Sequence, residues 1–87
     1  MLKCIESRVW GINLNYKYLL RIKDIAVRLG LKGIASFKDD GSAKIIAEGE
    51  ERNLLFFVNE LKHSHFFEDF SMVWREPENK FTDFSVC

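Results

Sequence analysis

The sequence predicts an α+β sandwich: a single antiparallel sheet with two helices on one of its faces. Three observations carry that expectation. Apolar and polar residues alternate through Leu2 to Trp10 and again through Ala43 to Ala47, the period of two that marks a half-buried strand. The apolar spacing changes to three and four at Tyr18, Ile22, Ile25, Ala26 and Leu29, and again at Leu54, Leu55, Val58 and Leu61, which is helical. Asp40-Gly41 separates two strand-like runs and supplies the positive φ values of a tight hairpin.

Residues 1–87 read as one small domain, long enough to bury a single core without metal or disulfide staples. Hydrophobic residues make up 47% of the chain, with eight Phe and two Trp, which argues for a folded chain over a disordered one. Thirteen basic side chains balance thirteen acidic ones, so net charge gives no reason to expect nucleic acid or an anionic membrane as partner. Cys4 and Cys87 form neither a disulfide framework nor a metal-ligand spacing, and read as free thiols in a reducing compartment. Met1 to Glu6 lacks a signal-peptide run and no apolar stretch approaches a membrane span. A soluble cytoplasmic protein without cofactor or metal is the expectation.

In chain order, Leu2 to Trp10 is the first strand, with Ile5 and Val9 on its core side. Ile12 to Asn15 is a loop, since Asn13 and Asn15 favour turns. Tyr16 to Leu29 is the first helix, with Gly30 and Gly33 bracketing its end. Ile34 to Lys38 is a strand, and Ser42 to Gly49 returns antiparallel to it, its small Ala43 and Ala47 leaving room for a closely packed helix. Glu50 and Glu51 open the second helix, acids at the positive end of its dipole, and Lys62 and His63 close it. Phe66 to Trp74 is a strand, Arg75 to Lys80 a polar turn around Pro77 and Asn79, and Phe81 to Val86 a last short strand. The order β-α-β-β-α-β(-β) makes two split βαβ units, hence a ferredoxin-like sandwich.

Several side-chain groupings invite chemistry. His63-Ser64-His65 has two imidazoles at i and i+2 with no further ligand at metal spacing, so a solvated helix exit is the simpler reading. Asp39 and Asp40 precede Gly41 and read as turn residues, not an acid and base pair. Phe56 or Phe57 is left over once Leu54, Leu55, Val58 and Leu61 fill the helix stripe. Trp10 and Trp74, with Arg8 and Arg75 beside them, are expected to share the uncovered sheet face, where a partner protein is the favoured occupant over stacked nucleobases.

Val9-Trp10-Gly11, Ala26-Val27-Arg28-Leu29-Gly30-Leu31-Lys32-Gly33, Asp40-Gly41-Ser42, Glu48-Gly49 and Phe84-Ser85-Val86 occur in the order found in acylphosphatases, without a gap from Gly11 to Gly41. The chain thus resembles that family over nearly its whole length. The resemblance implies a backbone cradle for phosphate after strand one, an arginine at the start of the first helix that grips the phosphate, and an asparagine in strand two that positions the attacking water. Carried over, the cradle falls on Asn13, Leu14, Asn15, Tyr16, Lys17 and Tyr18, with Asn15 in the place of its second glycine. The arginine falls on Leu19 and the asparagine on Phe37. Neither side chain can do that work, for leucine has no donor and a phenyl ring cannot hold a water in the required way. Lys17 and Arg21 are the substitute cations, although Arg21 lies about 200° around the helix from Leu19 at ~100° per residue. The expected function is a binding or regulatory role without standard catalysis. The alternative is an active hydrolase of acyl phosphates that uses Arg21 or Lys17, with a small acyl phosphate or phosphate as ligand.

Overall fold

The computed structural model describes residues 2–11, 14–63 and 69–86. Its elements run β1 (Leu2–Trp10), α1 (Tyr16–Arg28), β2 (Lys32–Phe37), β3 (Ala43–Glu50), α2 (Glu51–His63), β4 (Asp69–Arg75) and β5 (Phe84–Val86). The five strands form one sheet in the order β4-β1-β3-β2-β5. β1 to β4 pair antiparallel, but β5 runs parallel to β2, so the sheet is mixed, not wholly antiparallel as the pattern suggests. The cause is that β4 and β5 lie at opposite edges, and the chain between them crosses the sheet instead of turning back in a hairpin.

Both helices lie on one face. α1 packs on β2 and β5, and α2 on β1 and β3. Ile5, Val9, Leu19, Ile22, Ile45, Leu54, Phe57 and Leu61 form the centre of the core, over a floor of Ala35, Ala43 and Ala47 that admits the helices closely. α1 follows its expected stripe, and α2 departs from it by one position. Leu55 and Phe56 face outward, Phe56 at 57% exposure, while Phe57 is fully buried and meets Phe84 edge to face at 6.3 Å between ring centres. Leucine and phenylalanine are equally apolar in a pattern count; the 100° step of the helix decides which one reaches the sheet.

The glycines separate into two roles. Gly30, with φ 69, closes α1: its N–H donates to Val27 O and the Leu31 N–H to Ala26 O, the paired bonds of a Schellman end. Gly33 does not bracket the helix but sits inside β2 with φ 151, where a Cβ would stand 1.8 Å from the Ile46 carbonyl oxygen. β2 therefore begins two residues before Ile34. In the hairpin, positive φ is confined to Gly41, whose N–H donates to Lys38 O at 2.9 Å, and Asp40 acts through its side chain. Glu50 ends β3 and does not open α2. β4 is described from Asp69 to Arg75, one residue past its expected end, and its expected start at Phe66 lies outside the described residues; β5 is shorter than expected, beginning at Phe84 and not Phe81.

Candidate functional site

α1 starts at Tyr16 because Asn15, in extended backbone at φ −145, accepts the Tyr18 N–H on its side chain at 3.2 Å. The helix has no acid in its first turn. Its positive N-terminal end thus points out of the β1–α1 loop with Lys17 exposed beside it and no carboxylate of its own to offset it. Of the expected cradle, Tyr16, Lys17 and Tyr18 belong to this first turn, Leu14 packs part-buried against the core, and Asn13 lies outside the described residues.

Leu19 occupies the position assigned to the gripping arginine and is 0% exposed, part of the central core. Phe37 occupies the asparagine position at the last residue of β2, 37% exposed. Arg21 is exposed on the outer face of α1, one helical turn from Lys17 and on the same side as it. The two cations therefore share a face, and Leu19 points the other way into the core.

The other polar groupings resolve as structure. Asp40 Oδ1 accepts the Ser42 N–H at 2.9 Å and its hydroxyl at 2.6 Å, and these bonds hold the Asp40 carboxyl below the usual carboxylate range. His63 has its Nδ1 2.8 Å from Asn59 O at the end of α2, while Ser64 and His65 lie outside the described residues. No group of three or more potential metal ligands occurs among the described residues. Trp10 and Trp74 do not share a sheet face. Trp10 lies opposite Asp69 on the face away from the helices, with the Arg8 guanidinium 6.0 Å from its ring centre, whereas Trp74 lies opposite Ile5 on the helix side. The aromatic pair drawn from their strand neighbourhood is lost because the register places them at opposite parity. Arg75 instead pairs with Glu6.

Glu48 carries a function the sequence pattern did not signal. Its carboxylate is buried on the face away from the helices, and its two oxygens accept the N–H groups of Glu78 at 2.7 Å and Asn79 at 3.2 Å. It thereby ties residues 76–83 across that face on their way to β5, and the face is covered at this end instead of being open throughout. Cys4, opposite Glu48 in the ladder, lies beneath the tie, and burial together with the Glu48 charge pushes its thiol up to about 11. The alternation of β3 sets Glu48 with Lys44 and Ile46 on the face away from the core, and nothing local names the partners that bury it.

A two-helix, five-strand sandwich with an Asn15-capped helix N-terminus after β1 defines a fold class. The comparisons define the family. The acylphosphatase family model matches residues 5–86, so the chain belongs to the acylphosphatase family. Acylphosphatases of Thermotoga petrophila and Thermotoga maritima are each 40% identical to it over 62 residues, 69% of this chain and 67% of theirs. The crystal structure of acylphosphatase from Bacillus subtilis superposes with a TM-score of 0.87 at 28% identity, covering 100% of this chain and 99% of that one.

Proposed function

We propose that this chain hydrolyses acyl phosphates to a carboxylate and inorganic phosphate, slowly, with Lys17 supplying charge at the α1 N-terminus in place of the family's arginine. The observation that carries this reading is the family match across residues 5–86, which spans the β1–α1 loop, α1 and β2 together; relatives at 40% identity bear the name acylphosphatase. An acyl phosphate is already an activated anhydride, so binding its charge against backbone N–H groups and one cation lowers the barrier even without an orienting amide. Each missing donor costs roughly 10²-fold to 10³-fold in turnover, by analogy with deletion of one oxyanion donor. The cytoplasmic setting belongs to the same proposal and fits the free, buried thiol of Cys4.

A second reading has its own observation. Leu19, fully buried, leaves no side-chain donor where the phosphate would be gripped, which favours a domain that binds an acyl phosphate, phosphate or protein partner without turning anything over. Phosphate release from benzoyl phosphate, measured against buffer alone, decides between the two. Release above buffer that falls about tenfold or more in Lys17→Ala establishes the slow hydrolase. No release, with amide shifts at residues 14–20 on adding phosphate, establishes the binding reading. Neither response discards both.

A further inference from the structure

β4 is an edge strand, paired to β1 on one side and to nothing described on the other. Natural edges are blunted by central charges, proline, bulges or brevity. β5, the opposite edge, is three residues long, but β4 runs for seven residues without a charge between its ends, and it leaves Val73 60% and Trp74 40% exposed. We propose that β4 pairs antiparallel with β4 of a second copy of this chain about a two-fold axis at Met72, joining two sheets into one.

The strand is largely complementary to its own reversal. Asp69-Phe70-Ser71-Met72-Val73-Trp74-Arg75, laid antiparallel on itself about Met72, sets Asp69 opposite Arg75 of the second copy, Phe70 opposite Trp74, Ser71 opposite Val73, and Met72 opposite itself. The charged ends, the aromatic pairs inside them and the flexible thioether at the centre then match, with Ser71 against Val73 the one neutral pair. Faces match as well, since antiparallel partners point the same way from the sheet. Phe70, Met72 and Trp74 lie on the helix side with Ile5, Ser7 and Val9, and Asp69 and Arg75 lie on the other side. The axis is perpendicular to the sheet, so the helices of both copies stay on one side. Shifting the register by two residues breaks both charge pairs.

The local bonds permit the exchange. Arg75 uses one guanidinium nitrogen on Glu6 and its fork keeps further donors. Asp69 Oδ1 accepts the Phe70 N–H at 2.8 Å, and its second oxygen can take a guanidinium. One edge junction buries less than the ~1,600 Å² of a standard interface, so the association is weak and concentration-dependent. The contact is isologous, consumes the only long edge described, and closes at two copies.

Sedimentation equilibrium of the whole chain between about 10 µM and about 1 mM tests this at the range expected of a small interface. The mass should climb from 10.2 kDa toward twice that value and stop. Asp69→Arg and Arg75→Asp, each with its fold checked by amide spectra, should each lose association at least about tenfold by setting like charges opposite. An equimolar mixture of the two variants should regain it, because each supplies the charge the other lacks. A chain that stays monomeric, growth past the dimer, or a mixture no better than its components overturns the proposal. If Arg75→Asp does not fold, wild-type hydrogen exchange still decides. Protection at residues 69–75 that does not rise with protein concentration overturns it equally.

Discussion

α1 and α2 are both thirteen residues long and lie side by side on the same sheet face, yet their N-termini are finished in opposite ways. α2 follows directly from β3, carries Glu51 in its first turn, and ends on Lys62 and His63. Its dipole is matched at both ends by its own side chains. α1 begins at a neutral Asn15 cap with Lys17 beside it and no acid in the first turn, although Arg28 matches its C-terminus. The difference teaches that the two helices finish their dipoles differently: α2 supplies charges of matching sign at both ends, whereas α1 has a neutral cap and no acid in its own first turn.

The strongest way to sharpen that contrast is to rebuild the α1 site. Leu19→Arg with Phe37→Asn should raise acyl-phosphate hydrolysis by about 10²-fold or more over the parent, with either single change giving little, because gripping phosphate and orienting water act together. Setting a guanidinium at the wholly buried Leu19 position adds desolvation to lost packing, together ~3 kcal/mol or more, to be read as a lower denaturation midpoint. A folded double variant with no gain would mean that the loop at Asn15 no longer forms a cradle.

Lys17→Glu tests the contrast by making α1 resemble α2. Turnover or phosphate affinity should fall about tenfold or more while stability rises by ~0.3 to 1 kcal/mol, since an acid completes the dipole from within. Glu51→Lys in α2 should do the reverse, with a similar loss of stability and no change in phosphate response. If both substitutions move stability but neither moves phosphate binding, the α1 end is not an anion site. Asn15→Ala should cost ~1 kcal/mol through the lost cap, measured by urea denaturation.

The smallest effect is a control remote from both helix ends. The Cys4 thiol is raised from 9.0 to about 11 in the folded chain. The unfolded thiol ionises first, so its contribution to stability is complete below pH 9 and fades as pH rises to about 11. Cys4→Ala should remove that part of the alkaline slope, and in the parent a thiol reagent should react with Cys4 only as the fold opens.

Most of this architecture was legible because periodicity reports burial. β1, α1 and the hairpin follow from alternation, from three-and-four spacing and from Gly41. Gly33 reads as a helix stop because a glycine soon after a helix looks the same whether it ends the helix or lies against a neighbouring strand; only the carbonyl of Ile46 distinguishes the two. The parallel placement of β5 and the separation of Trp10 from Trp74 depend on pairing between distant strands, which no local window contains. At the candidate site the ungapped run from Gly11 to Gly41 located Leu19 and Phe37. How the helix end is capped, and that Leu19 lies wholly in the core, needed coordinates.

The tie made by Glu48 bears on how the fold comes apart. β5 is three residues held to β2, and the segment leading to it is gathered by one carboxylate. Such a terminal strap opens as a unit at a free energy below that of global unfolding, leaving the four antiparallel strands and α2 in place. The Gly33 N–H, bonded to Asp83 O at 2.9 Å, would report each opening by hydrogen exchange before the amides of β1 or β3 respond. Opening would also unveil the outer edge of β2 and the Cys4 thiol together. Cover of the second edge therefore leans on one carboxylate beside the short β5 ladder, and Glu48→Ala would loosen that edge ahead of the core.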